Sequence, residues 1–303
     1  MKKRLFALLM VMVLGITLFA GCSGGSKSTE KGNTDASVST TPEPTQAPTA
    51  EAEEPEATQA PVDDKLAKSE IFVFIAASLS NAMNEINTLY QAKEPNIKIN
   101  FNADSSGTLQ TQIEEGAECD VFFSAATKQM TALDEGGYIE KDSVKNLLEN
   151  KVVLIKPKGS ETKVTGFENI FDARNIALAG EDVPVGAYAR EIFTNLGIMD
   201  KVAAMEINEG ANVTAVLAAV SEASNEVGVV YQTDAASVLD SVDILASAPE
   251  GSLKTPVVYP VGLVKNAEAD EAQQAAAADF LQFLGTDESL AVFEKYGFSI
   301  DAQ

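Results

Sequence analysis

The chain from Glu70 onward predicts an α/β fold with a largely parallel sheet. Short apolar runs suited to buried strands alternate with segments whose apolar residues recur at helical spacing. The first run, residues 71–76, is continuously apolar, as a strand covered on both faces requires. The segment from Ser69 to Gln303 is also long for a single hydrophobic core, so we expect two lobes.

Each further element follows from the same two patterns. Apolar residues from Leu79 to Tyr90 recur at helical spacing, and the residues from Ile97 to Phe101 alternate as in a strand. Further strands are predicted at residues 121–124, 152–155, 176–179, 228–231 and 257–264. Further helices are predicted around residues 109–113, 129–133, 188–196, 213–220, 272–284 and 288–296.

Two of these strands are natural crossings between the lobes. Residues 152–155 would carry the chain out of the first lobe, and residues 257–264 would carry it back. We therefore expect a first lobe made of residues 69–154 and 258–303, and a second lobe made of residues 155–257.

The first 68 residues predict export rather than a folded domain. Residues 1–21 have a basic start and a short apolar run, as a secretory signal does, and small residues precede Cys22, as in the lipobox of bacterial lipoproteins. Residues 22–68 are rich in Ser, Thr, Pro, Glu and Ala and almost free of large apolar residues, so they predict a disordered tether behind a lipidated Cys22. Ordinary cleavage beside an incidental cysteine is the alternative.

Charge and composition exclude several classes of function. The net charge of −23 argues against nucleic acid as a partner, and the absence of histidine removes histidine-dependent catalysis and histidine metal sites. Cys119 has no partner for an intrachain disulfide in the mature chain, and we interpret it as a small buried apolar residue.

Small and hydroxyl residues precede predicted helices at four places. A helix start offers unpaired backbone N–H groups and the positive end of the helix dipole, which can bind an anion without Lys or Arg. The four segments are residues 77–81, 104–108, 184–188 and 211–214. An oxyanion site built from neutral donors would also suit so acidic a chain.

Each segment also has an ordinary structural explanation. Ser78, Ser80, Ser106 and Asn212 are all suitable N-caps, and Val185 and Val213 are suitable core residues. Tyr231, which ends an apolar strand, could be a buried aromatic residue with a satisfied hydroxyl.

Five ordered segments and the carboxyl end resemble the periplasmic molybdate-binding proteins of ABC importers. They begin with residues 71–83, which read Ile-Phe-Val-Phe-Ile-Ala-Ala-Ser-Leu-Ser-Asn-Ala-Met, and continue through residues 105–117, 120–125, 183–189, 228–235 and 293–298. The resemblance implies a type II periplasmic-binding-protein fold, in which two α/β lobes joined by two crossing strands close over a ligand.

The resemblance also implies the ligand and the residues that hold it. Molybdate or tungstate would be bound as an oxyanion, with no cation ligands and no further cofactor, by five residues: Ser78, Ser106, Val185, Val213 and Tyr231. The chain would be a monomeric, lipid-anchored extracytoplasmic receptor and not an enzyme, with an ABC permease as its protein partner.

Three rivals remain open from the sequence. A receptor for sulfate or phosphate is the first, and Asp104 beside the serine loop is the residue that could accept a phosphate proton. An enzyme on the same fold would have to work with carboxylates or Lys alone. A lipoprotein for adhesion or sensing would not respond to oxyanions.

Overall fold

The computed structural model describes residues 65–301, which form two β-sheets flanked by helices. The predicted signal, the lipidated Cys22 and the tether up to residue 64 lie outside the described residues. Lys65 and Leu66, which the sequence assigns to the tether, contact the first lobe: the Leu66 N–H donates to Glu94 Oε2 at 2.9 Å. None of the helices in the described part of the chain is long and apolar enough to span a membrane.

The first sheet has six strands in the order β11-β4-β10-β3-β1-β2. β1 pairs in parallel with β2 and β3, and the register sets Ala76 beside Asp104 at the carboxyl ends of β1 and β2. The strands of this sheet are β1 Ser69–Ala76, β2 Ile97–Asp104, β3 Val121–Phe123, β4 Lys145–Asn150, β10 Val257–Leu263 and β11 Ser299–Ile300.

The second sheet has five strands in the order β7-β6-β8-β5-β9. β6 pairs in parallel with β7 and β8, and Ala179 at the end of β6 lies beside Gly210 at the end of β7. The strands of this sheet are β5 Val152–Pro157, β6 Asn175–Ala179, β7 Glu206–Gly210, β8 Val227–Tyr231 and β9 Val242–Ser247.

Helices follow most of the parallel strands, so carboxyl strand ends lead into helix starts. Short 3₁₀ segments occur at Ala77–Leu79 and Phe167–Asp172. The α-helices are α1 Ser80–Lys93, α2 Ser106–Glu114, α3 Thr127–Glu135, α4 Pro184–Asn195, α5 Met199–Ala203, α6 Val213–Ser221, α7 Gln232–Ala236, α8 Glu271–Leu284 and α9 Asp287–Lys295.

The two-lobed α/β prediction is confirmed, but the expectation of a largely parallel sheet is wrong. Each sheet is mixed, because β10 runs antiparallel to β3 and β4, and β5 runs antiparallel to β8 and β9. These are the strands next to the crossings, and a chain that enters a sheet from the opposite side pairs with its neighbours in the reverse direction. The sequence pattern shows that such strands are buried and does not show their direction.

The chain passes between the sheets twice. β4 ends at Asn150 and β5 begins at Val152, so Lys151 alone separates a strand of the first sheet from a strand of the second. All of Val152–Pro157 lies in the second sheet, whereas the sequence places residues 152–154 with the first lobe. The return runs from Ser247 to Val257. The lobe boundaries drawn from the sequence otherwise stay a prediction.

Cys119 lies in a small apolar cluster of the first lobe. It is 1% exposed, and its Sγ lies 3.4 Å from the carbonyl oxygen of Val121. Burial raises the pKa of the Cys119 thiol well above its usual range. An inaccessible, protonated thiol is a packing group, in line with the interpretation from the sequence.

Candidate functional site

One small cavity lies where the carboxyl strand ends of the two sheets face each other. It is narrow, with a volume of about 10 Å³. It is lined by Ala76, Ala77, Ser78, Asp104, Ser105, Ser106, Ala125, Val183, Pro184, Val185, Val213 and Tyr231. All five residues that the sequence singled out are in this lining, and they come from both lobes. Their part in binding a ligand stays a prediction.

The strand pairing explains why residues so distant in sequence meet here. Pairing of Ala76 with Asp104 sets the segments that carry Ser78 and Ser106 side by side in the first lobe. Pairing of Ala179 with Gly210 does the same for the segments that carry Val185 and Val213 in the second lobe. Ligands of open α/β sheets bind outside the carboxyl ends of the strands, which is where this cavity lies.

A chain of hydrogen bonds reaches Ser78 from the crossing strands. The Asn150 side-chain amide donates to the Tyr259 hydroxyl oxygen at 3.2 Å, and that oxygen lies 2.9 Å from Ser78 Oγ. With its oxygen accepting from Asn150, Tyr259 can donate its own proton to Ser78. The Ser78 hydroxyl is then free to donate into the cavity.

The Ser106 hydroxyl oxygen, like that of Ser78, lies within hydrogen-bond distance of a protein donor, here a backbone N–H. Its Oγ accepts a hydrogen bond from the Ala125 N–H at 3.0 Å, and the residue is 1% exposed. Ser106 is therefore not the N-cap of α2. That role belongs to Ser105, whose Oγ accepts from the Thr108 N–H at 3.1 Å. With its oxygen already accepting, the Ser106 hydroxyl can donate its proton to a bound group, and its backbone N–H lies in the first turn of α2, where it has no acceptor within the helix.

Val185 and Val213 contribute the backbone at two helix starts of the second lobe. Val185 follows Pro184 in the first turn of α4, and Val213 opens α6. N–H groups in a first turn have no acceptor within their own helix. Asn212 caps α6 by accepting from the Ala215 N–H at 3.0 Å, which confirms its interpretation as a cap.

The Tyr231 hydroxyl belongs to a buried residue of the cavity lining. Tyr231 is 1% exposed, and its hydroxyl oxygen has no protein partner at normal hydrogen-bond geometry among the described residues, although the Tyr259 side chain lies close enough to influence its pKa. Burial raises the pKa of this phenol well above its usual range, so the group is protonated and able to donate. A buried polar group without a partner is costly, so this hydroxyl is a candidate donor to a bound group, and its part in binding stays a prediction.

The charges around the cavity are few and negative. No Lys or Arg side chain occurs in its described lining, and Asp104 is the one ionisable side chain there besides Tyr231. Asp104 Oδ1 accepts from the Ser105 N–H at 2.7 Å and from the Asn212 amide at 2.9 Å. Within residues 65–301 no cluster of His, Cys, Asp or Glu has the arrangement of a metal site.

Asp234 is a second carboxyl group close to the cavity wall. It is 8% exposed and accepts from the Tyr231 N–H at 3.2 Å. Burial raises the pKa of Asp234 to about 7. This carboxyl group therefore changes its charge near neutral pH, directly behind the residue that carries the unpartnered hydroxyl.

Sequence reasoning missed the residues that support the site. Tyr259 stands in an apolar strand, and Asn150 ends a short polar one, so neither shows a local signal. Their roles arise from contacts across 181 and 109 positions of the chain. Only a correct pairing of distant strands could have found them.

Two α/β lobes with a donor-lined cavity between them define a class of binding protein that closes around a small solute. A family model described as bacterial extracellular solute-binding protein matches residues 71–299. The match covers nearly all of the described residues, and the chain belongs to this family.

Named relatives span the same region. The chain is 39% identical over 239 residues to the Bacillus subtilis (strain 168) protein named "Putative ABC transporter substrate-binding lipoprotein YvgL", covering 78% of this chain and 89% of that protein. It is 37% identical over 239 residues to the molybdate-binding protein ModA of Haemophilus influenzae, covering 77% and 91%. The solved periplasmic molybdate-binding protein of Azotobacter vinelandii aligns with a TM-score of 0.65 at 22% identity, over 77% of this chain and 100% of that one. This last likeness supports the fold alone.

Proposed function

We propose that this protein captures molybdate or tungstate outside the cytoplasm and delivers it to an ABC importer. The observation that carries the proposal is that Tyr231, whose buried hydroxyl has no protein partner at normal hydrogen-bond geometry, lines one cavity together with Ser78 and Ser106. The relatives named as molybdate-binding proteins support the same ligand class. Attachment through lipid on Cys22 and a monomeric state complete the proposal, and no catalytic step is assigned.

Hydroxyl and N–H donors in the cavity lining suit a dianion that carries no proton. Taking such an ion out of water is costly, so the protein must replace its hydration shell with hydrogen bonds. Bonds to a charged acceptor contribute roughly 1.5–3 kcal/mol each. Micromolar binding needs about 8 kcal/mol. Seven proposed donors would together supply this free energy after the costs of closure: the hydroxyls of Ser78, Ser106 and Tyr231, and the N–H groups of Ser78, Ser106, Val185 and Val213.

The second candidate is a receptor for sulfate or phosphate. Phosphate near neutral pH keeps a proton and needs an acceptor in the site. The oxygens of Ser78 and Ser106 already lie within hydrogen-bond distance of protein donors, and Asp104 Oδ1 already accepts twice. The second carboxylate oxygen of Asp104 is the acceptor left for a phosphate proton, so direct binding measurements must decide between phosphate and molybdate. Sulfate has the right charge, and only the size of the cavity can separate it from molybdate.

A titration panel tests the proposal. Purified protein is mixed with molybdate, tungstate, sulfate and phosphate, and binding is measured by calorimetry and native mass spectrometry. We expect one ion bound per chain for molybdate and tungstate, with dissociation constants well below those of sulfate and phosphate. Preferential binding of sulfate would reassign the ligand. Binding of none of the four would refute the receptor role and favour the adhesion or sensing alternative.

A further inference from the structure

Two contacts join the lobes at the rim of the cavity. Asp104 ends β2 of the first sheet, and Asn212 precedes α6 beside the second sheet. Asp104 Oδ1 accepts a hydrogen bond from the Asn212 side-chain amide at 2.9 Å, across 108 positions of the chain. This bond exists only while the two lobes lie against each other.

The second contact is a close approach of two backbones. Gly107 lies in the first turn of α2, and Asp182 lies just before α4 in the opposite lobe. A Cβ atom added to Gly107 would come within 2.2 Å of the Asp182 carbonyl oxygen. Any other residue at 107 would therefore collide with backbone that cannot move aside easily, so glycine provides the clearance for closure.

The position of Asp104 needs an explanation of its own. A carboxylate in the wall of an anion cavity repels the anion, and the described lining contains no cation to offset it. The hydrogen bond across the cleft supplies a reason for its presence. The Asn212 side chain makes two hydrogen bonds. Its amide nitrogen donates to Asp104 across the cleft, and its oxygen caps the start of α6, which carries Val213.

We propose that the hydrogen bond between Asp104 and Asn212 is a latch that holds the lobes closed over the bound oxyanion. Gly107 has no Cβ, so the lobes can approach closely enough for this hydrogen bond to form. The latch slows release of the ion and leaves its entry unaffected, because the bond is absent from the open form. This proposal rests on the proposed function and adds to it the residues that set the lifetime of the complex.

A double-mutant cycle on release tests the latch. Asp104→Ala removes the acceptor, and Asn212→Ser keeps a capping oxygen while losing the amide that spans the cleft. Release of radiolabelled molybdate is followed by rapid filtration after dilution into unlabelled ion. We expect Asn212→Ser to release the ion roughly ten-fold faster, Asp104→Ala to accelerate release by less because it also removes the repelling charge, and the double variant to be no faster than Asn212→Ser. Asp104→Asn keeps the acceptor without its charge and should release molybdate more slowly than the wild type.

Small-angle scattering tests whether the lobes can close only when residue 107 lacks a Cβ. Gly107→Ala should keep the radius of gyration of the ligand-free protein even in saturating molybdate, whereas the wild type contracts. Gly285→Ala is the matched control, because its added Cβ meets no neighbour closer than 3.5 Å and the residue lies between α8 and α9. It should contract like the wild type.

The outcomes separate the two proposals. Additive effects on release, or normal contraction of Gly107→Ala, in a protein that binds molybdate would overturn the latch and leave the receptor role intact. A wild-type protein that binds none of the four anions refutes the receptor role, and the latch fails with it.

Discussion

The hydroxyl oxygen of Tyr231 affects both the stability of the ligand-free protein and its affinity for an oxyanion. Without a ligand it is a buried donor with no protein partner at normal hydrogen-bond geometry, an arrangement that disfavours the closed protein. With an oxyanion in the cavity it becomes a hydrogen bond to a charged acceptor, the stronger kind. One atom therefore has opposite effects on the empty and the occupied protein.

Tyr231→Phe should separate these two effects. We expect the ligand-free variant to melt at or above the wild-type temperature, because an unsatisfied group is gone, and molybdate to bind roughly ten- to a hundred-fold more weakly. Calorimetry and thermal melts measure both. Tyr90→Phe is the control. The Tyr90 hydroxyl donates a hydrogen bond to Asp279 Oδ2 at 2.9 Å, and neither residue lines the cavity. The control variant should melt lower and bind normally, and an equal loss of affinity in both variants would contradict the assignment.

Asp234 gives the protein a dependence on pH near neutrality. Burial raises the pKa of this carboxyl from 3.8 to about 7. Between these values the folded state holds a proton that the unfolded state has lost. Stability therefore falls as pH rises through this window and levels off above about 7.

Asp234→Asn should remove that part of the pH dependence. The amide does not titrate, so the difference in melting temperature between variant and wild type should shift in favour of the variant as pH rises from 5 to 8. Melts at constant ionic strength measure this difference. A difference that stays constant with pH would show that Asp234 ionises normally in the folded protein.

At the scale of single elements, the helix starts connect local structure to the site. Ser105 caps α2 and thereby fixes the first turn, which presents Ser106 to the cavity. Asp270 caps α8 in the same way, with its carboxylate accepting from the Gln273 N–H at 2.8 Å, but α8 contributes nothing to the cavity lining. Both residues are N-caps, but only the helix capped by Ser105 carries a residue of the cavity lining.

Ser105→Ala and Asp270→Ala make a matched pair. Loss of an N-cap costs about 0.5–2 kcal/mol, so both variants should melt a few degrees lower. Only Ser105→Ala should also weaken molybdate binding, by several-fold, since only its helix start faces the ion. Equal binding by the two variants would mean that the first turn of α2 does not depend on its cap.

The sequence predicted the elements with strong apolar runs and missed the weak ones. β8 is buried along its whole length and β1 in its second half, so both stand out, whereas β7 and β9 lie at sheet edges and carry charged residues. These two edge strands bury too little apolar surface to leave a clear pattern. The five candidate site residues came from helix-start chemistry and the family resemblance, while Tyr259 and Asn150 depended on pairing that no local pattern encodes.

At the scale of the whole molecule, the charge of −23 opposes the approach of any anion. Added salt screens this repulsion, so the association rate of molybdate should rise with ionic strength and the dissociation rate should stay nearly constant. Stopped-flow mixing across a salt series measures both rates. A receptor that used Lys or Arg would show the reverse trend, and a falling association rate here would reveal a cationic site.

The single residue between β4 and β5 has a mechanical consequence. Val152, the first residue after that crossing, pairs with Tyr231, and the Gln232 N–H donates to the Lys151 carbonyl at 2.8 Å. Tyr231 is thus attached directly beside this crossing, while Val185 and Val213 stand at the starts of helices α4 and α6. If the lobes rotate about this crossing, displacement grows with distance from it, so we expect the phenol to move less than these helix starts. An arriving ion would meet Tyr231 in almost its final position, and the valine amides would travel to it last.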